Sequence, residues 1–101
     1  MIKKQQLLLN DLLIQRTGNI VSNMDGQKVM LSIQNGKYYN LGEIGGEIWD
    51  LLEEPTSVSK MVAILTYEYD IEPVMCEQQV ISFMERLLDE GLIQFADQSR
   101  E

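Results

Sequence analysis

Few side chains in this 101-residue sequence are suited to covalent or proton-transfer chemistry. There is no histidine, the commonest general base and metal ligand. Cys76 is the single cysteine and the only candidate nucleophile. It has no imidazole to activate it, and it falls on the apolar arc of a helical pattern, as a small buried hydrophobe does. Glu53-Glu54 and Asp89-Glu90 are adjacent carboxylate pairs at helix ends, where carboxylates are usually solvated. No zinc-ligand spacing occurs, and none of the patterns G-x-x-x-x-G-K-[ST], G-x-G-x-x-G or G-x-S-x-G. The chain therefore reads as a binding module, with no catalytic residue, no metal ligand and no cofactor. Tyr38, Tyr39 and Trp49 remain as ligand-site material, although aromatics at strand and helix spacing usually belong to a core.

Those aromatics lie in the stretch around which the chain is organised, Gly36 to Leu52. A period-two pattern there gives way to one near 3.6. Tyr39 and Leu41 share one strand face, Tyr38 and Asn40 the other. Ile44, Ile48 and Leu51/Leu52 then recur at helical spacing, with Trp49 on their flank. Gly45 and Gly46 fall in the first helical turn. Glycine costs about 1 kcal/mol there relative to alanine, so the close approach of another backbone is expected.

Around this stretch the elements follow in order. Residues 1–18 read as an N-terminal arm, extended and packed on the core. Thr17-Gly18-Asn19 signals a turn. Ile20 to Met24 reads as a strand, and Asp25-Gly26 as a hairpin turn. From Lys28 to Ile33 the chain alternates, with Val29, Leu31 and Ile33 on one face and Lys28, Met30 and Ser32 on the other. Asn35-Gly36 turns it again into Lys37 to Leu41. Three strands joined by short turns make an antiparallel meander.

Three helices follow. The first spans about 42–53 and is ended by Glu54-Pro55. The second opens on Ser57 or Thr56 as N-cap. The third runs from about Pro73 to Glu90, with proline in its first turn and Gly91 as its C-terminal cap. On this helix Val80, Phe83, Cys76, Leu87, Met84, Leu88 and Ile81 fall within an arc of about 160°. Leu92 to Phe95 reads as a short strand, and 96–101 as a polar tail. The fold class is α+β, a three-stranded antiparallel meander followed by three helices in a winged-helix-like domain over 19–95.

The formal charge of −8 is unevenly spread. Residues 1–42 hold five Lys/Arg and two Asp/Glu; the remainder hold three and fourteen. So acidic a helical half repels phosphate backbones, so nucleic acid is not an expected partner. The longest apolar runs are too short to span a membrane. A lone cysteine excludes an internal disulfide framework, and no signal-peptide cleavage site follows Leu7-Leu8-Leu9. A cytoplasmic monomer is the default expectation.

Asp25-Gly26-Gln27-Lys28-Val29-Met30-Leu31, Gly36-Lys37-Tyr38-Tyr39-Asn40-Leu41, Gly45 with Ile48-Trp49, Tyr69-Asp70-Ile71, Phe83 with Leu87, and Gly91-Leu92-Ile93 form an ordered set. In that order and spacing, from about Asn19 to Phe95, the set resembles the PqqD-like family of leader-peptide recognition elements. It looks most like the stand-alone leader-binding proteins of lasso-peptide biosynthesis. Gly42 departs from the family, which often has a polar helix-capping residue there.

The resemblance implies capture of the leader of a ribosomally made precursor peptide by strand addition. The leader would lie along Lys37, Tyr38, Tyr39, Asn40 and Leu41, against Cys76, Gln79, Val80, Phe83 and Leu87 of the last helix. Ile81 and Leu88 are assigned to packing on the other helices. The implied partners are the leader itself, a transglutaminase-like leader peptidase and a macrolactam-forming synthetase. An unpaired strand edge is a physical template for such addition. The alternatives are a winged-helix DNA-binding regulator, for which Lys60 and Arg86 are sparse cations, and an adaptor subunit of an unrelated complex.

Overall fold

The computed structural model describes residues 7–96. Its order is β1 (Leu13–Gln15), β2 (Asn19–Met24), β3 (Gln27–Ser32), β4 (Lys37–Leu41), α1 (Gly42–Leu51), α2 (Val58–Glu68), α3 (Pro73–Asp89) and β5 (Ile93–Phe95). The meander expected from the turn signals is present, as β2-β3-β4 with both pairings antiparallel. Asp25 and Gly26 both have positive φ, 56° and 79°. A two-residue hairpin turn of the I′ type needs this at both central positions. Gly36, at φ 66°, closes the second turn by donating to the Ser32 carbonyl at 2.8 Å.

The helices begin and end where their caps dictate. Ser57 Oγ accepts from the Lys60 amide at 3.1 Å at the start of α2. Glu72 accepts from the Met75 amide at 3.1 Å at the start of α3, just before Pro73. Gly91, at φ 75°, ends α3: its amide donates to Leu88 O at 3.0 Å, and the Leu92 amide to Leu87 O at 2.9 Å. That pair of bonds is a Schellman cap. Gly42 has φ 76°, and its amide donates to Asn40 Oδ1 at 3.0 Å. The Asn40 side chain thus takes up the first amide of α1, while no side chain caps the helix at Leu41.

One face of the meander packs on the helices. Val21, Met30 and Tyr39 form a cross-strand row on that face. Met30 and Ser32 are buried, while Ile33 is 64% exposed. The core therefore takes the Met30 face of β3, and the more apolar Val29/Leu31 face looks outward. Register decides this: Met30 lies opposite the inward-facing Tyr39.

Leu7 and Leu13 belong to the core, although Leu8, Leu9 and Asn10 between them are exposed, so the core draws on residues before the boundary expected at residue 19. Leu13 is fully buried and exchanges backbone bonds with Thr56 at 3.0 and 2.9 Å. β1 pairs antiparallel with β5, so the arm and the terminal strand form a second, two-stranded sheet. The outer parts of the arm and of the polar tail, 1–6 and 97–101, lie outside the described residues. Among the described residues, no helix is long and apolar enough to cross a membrane.

Candidate functional site: an open strand edge beside the third helix

β4 is an edge strand: among the described residues it pairs with β3 alone, and β1 engages β5 instead of covering it. A row of backbone donors and acceptors on such an edge is available to another strand. Beside it runs α3, whose buried stripe is Cys76, Val80, Met84 and Leu87. Two cavities open along this seam. One, of about 170 Å³, lies between Leu41, Ile44, Ile48, Leu65, Ile71, Cys76, Gln79 and Val80. The other, of about 240 Å³, lies between Tyr38, Tyr39, Asn40, Leu41, Arg86, Leu87, Glu90 and Leu92. Leu41 and Phe83 border both, so the Phe83 side chain stands at the partition.

The fold brings the expected site residues together. Cys76, Gln79 and Val80 line the first cavity, Tyr38, Tyr39, Asn40 and Leu87 the second, and Leu41 and Phe83 both. Cys76, Val80 and Leu87 are at most 4% exposed, so they form the floor and also belong to the core. Gln79 and Asn40 are exposed, and Phe83 is half-buried, at the rim. Ile81 and Leu88 pack partly buried against the core. Burial pushes the Cys76 thiol up from its ordinary value, as desolvation disfavours a thiolate. Lys37 lines neither cavity; its Nζ lies 3.7 Å from Glu90 Oε1.

A polar network fastens one end of the seam. Tyr39 donates its hydroxyl proton to Glu90 Oε1 at 2.7 Å. Asn35 Nδ2 donates to Tyr39 Oη at 3.1 Å and to the Glu90 carbonyl at 2.9 Å. The β3–β4 turn is thus tied to the end of α3. The Tyr39 hydrogen bond, then the Lys37 charge, hold the Glu90 carboxyl below its ordinary value.

Some contributors were not visible beforehand. Ile44, Ile48, Leu65 and Ile71 complete the apolar cavity, and their helical spacing marked them only as core. Asn35, Arg86 and Glu90 joined the site through contacts remote in sequence. The two helical glycines are also explained differently from expectation. A Cβ on Gly45 would lie 3.0 Å from Phe83 Cζ, and one on Gly46 would lie 2.7 Å from Lys28 Cβ. Side chains approach these glycines, where a backbone was expected.

β2 is the other edge of the meander, and a larger trough of about 720 Å³ runs between it, residues 14–18 and α1. Its lining includes Gln15, Arg16, Thr17, Asn19, Lys28, Asp50 and Glu53. Lys28 Nζ and Asp50 Oδ1 pair there at 3.1 Å. Ile14, Val21 and Trp49 give this trough some apolar wall, but polar and charged side chains make up most of its lining. The β4 seam instead holds a predominantly apolar cavity around Ile44, Ile48, Leu65, Ile71 and Val80, and so combines main-chain pairing with an apolar side-chain pocket.

The model of the family described as coenzyme PQQ synthesis protein D (PqqD) matches residues 27–93. No curated protein matches the chain. Three solved structures are similar to it. TbiB1 in complex with the TbiA(beta) leader peptide is 26% identical, with a TM-score of 0.71 over 80% of this chain and 94% of that one. A lasso peptide synthetase B1 complexed with the leader peptide is 23% identical, with a TM-score of 0.71 over 81% and 96%. The PqqD truncation of Methylobacterium extorquens PqqCD, a stand-alone recognition element for ribosomally synthesised and modified peptides, is 16% identical. Its TM-score is 0.76 over 92% of this chain and 99% of that one.

Proposed function

This chain belongs to the PqqD family, and from that premise we propose that it captures the leader segment of a ribosomally synthesised precursor peptide. The carrying observation is the open β4 edge lying directly beside two cavities on α3. The leader adds as a fourth strand next to Lys37–Leu41. Main-chain bonds set its register, and alternate side chains enter the two compartments on either side of Phe83. Similarity to TbiB1, described with its leader peptide bound, supports the same ligand class here.

The consequence for the pathway is tethering. The module breaks no bond; it holds the leader while a transglutaminase-like leader peptidase and a macrolactam-forming synthetase act on the remainder. Holding one end of the precursor raises its effective concentration at an enzyme bound to the same module. The precursor is a lasso-peptide precursor in this reading, in keeping with the likeness to lasso peptide synthetase B1.

The test is fluorescence polarisation with the labelled leader of the precursor encoded beside this chain. Saturable binding is expected, and Phe83→Ala should weaken it about tenfold, or about 1.4 kcal/mol, close to the lower end of what burying a large apolar side chain contributes. Amide shifts confined to residues 37–41 and α3 would accompany it. Shifts confined to β2, with Phe83→Ala unchanged, would move the site to the polar trough. No binding at all would defeat the reading.

A further inference from the structure

The two compartments of the seam differ in chemistry. Apart from the buried Cys76 thiol, Gln79 is the one polar side chain around the first. Arg86, Glu90, Asn40 and two phenols border the second. Most of these groups are already engaged. Glu90 Oε1 accepts from Tyr39 at 2.7 Å, with Lys37 Nζ 3.7 Å away. Asn40 Nδ2 donates to Gln27 Oε1 at 3.1 Å, and its Oδ1 accepts from the Gly42 amide at 3.0 Å. Tyr38 alternates to the opposite face of the strand from Tyr39 and is 76% exposed.

Arg86 stands apart. It is exposed, and among the described residues its guanidinium makes no hydrogen bond or ion pair. On a helix the natural partner of this arginine is the carboxylate four residues on, Glu90. Glu90 turns instead to Tyr39 and Lys37. The Tyr39 bond leads the effects that hold its carboxyl low, and the Arg86 charge comes last among them. Residues 43–101 hold three Lys/Arg against fourteen Asp/Glu. Of the other two cations, Lys60 borders a separate hollow with Asp50, Glu53 and Glu54, and Arg100 lies outside the described residues. A cation in the last turn of a helix is favoured by the helix dipole whichever way it points. That accounts for a positive charge at residue 86, and leaves unexplained why an unpaired guanidinium borders the guest compartment. Such a group presents a planar fork of donors that matches a carboxylate in two parallel bonds. Leu87 and Leu92, both buried, lie beneath it for the methylenes of an acidic side chain.

We propose that Arg86 selects the leader by pairing with an aspartate or glutamate side chain in the second compartment, two residues from the apolar side chain seated in the first. The spacing follows from β4, where Tyr39 and Leu41 point inward two residues apart and a paired guest strand keeps the same period. This inference rests on the leader-capture reading and specifies which leaders the module accepts.

The test uses the intact chain and the labelled leader of the precursor encoded beside it. Each Asp or Glu of that leader is changed in turn to Asn or Gln. One such change should weaken binding about tenfold, and Arg86→Gln should weaken binding of the unaltered leader by the same factor. The two changes together should cost no more than either alone. Arg86→Glu should lose at least tenfold and regain most of it when the sensitive leader position carries lysine. A merely structural role at the helix end would shift the melting temperature and show no such rescue. Lys60→Gln removes a cation away from the seam and should leave affinity within twofold, which separates local pairing from general attraction. Circular dichroism checks the fold of each variant. Full affinity in Arg86→Gln, an equal loss in Lys60→Gln, or a bound leader with no sensitive acidic position overturns the proposal and leaves leader capture standing. A leader that fails to bind the unaltered chain defeats leader capture itself, and this inference falls with it.

Discussion

Tyr39 and Tyr69 each give a phenol hydroxyl to a glutamate remote in sequence, and each bond fixes one element against another. Tyr39 bonds Glu90 at 2.7 Å, and Tyr69 bonds Glu47 Oε1 at 2.9 Å. The Glu47 hydrogen bond, followed by desolvation and the charges of Glu47, Glu43 and Glu68, pushes Tyr69 from 10.0 up to about 12. The folded chain thus holds this proton more tightly than the unfolded one. Its contribution to stability is fully present below pH 10 and is lost as the pH rises through about 12. In a spectrophotometric titration of the four tyrosines, one should ionise near 12. Glu47→Gln should bring that one back toward 10, because the acceptor loses its charge. The period-two pattern was enough to turn Tyr39 inward. The partners of both phenols were not legible, since nothing local in the chain relates residue 39 to 90 or 69 to 47.

Adjacent glycines in α1 answer to different neighbours. Alanine at either position gains about 1 kcal/mol of intrinsic helix preference. At Gly45 the new Cβ meets the tip of the Phe83 ring at 3.0 Å. Half-buried at the seam, that ring can yield by a few tenths of an ångström. Gly45→Ala should keep or raise the melting temperature and weaken leader binding severalfold by displacing the partition between the cavities. At Gly46 the Cβ would lie 2.7 Å from Lys28 Cβ, an atom fixed to the β3 backbone. Gly46→Ala should therefore lower the melting temperature despite its helix preference. Thermal melts of both variants, with leader titrations, check the contrast. The pair was conspicuous in the sequence because glycine is costly there. The nature of the neighbours was hidden, as it depends on how β3 and α3 cross α1.

For the molecule as a whole, the meander and the three helices follow from periodicity, turn chemistry and caps. Asp25-Gly26, Ser57, Pro73 and Gly91 mark their boundaries locally, and local signals are what a sequence displays. The first eighteen residues were harder to read. Leu13 earns its burial only by meeting β5, Thr56 and the core at once, and a three-residue strand has too short a pattern to announce that. Leu13→Ala should cost about 3 kcal/mol, the usual toll of emptying a fully buried leucine site. For a chain of this size that is a fall of roughly 12–24 °C in melting temperature. A change under about 3 °C would mean that the arm is dispensable to the fold.

The floor of the seam is made of Cys76, Val80 and Leu87, side chains that the hydrophobic core also claims. Anyone wishing to retarget this module to a foreign tag is thereby told where to randomise. Libraries built on floor positions would select mainly for survival of the scaffold. Gln79 and Arg86 face solvent at the brink, and variation there can change preference while the scaffold stays intact.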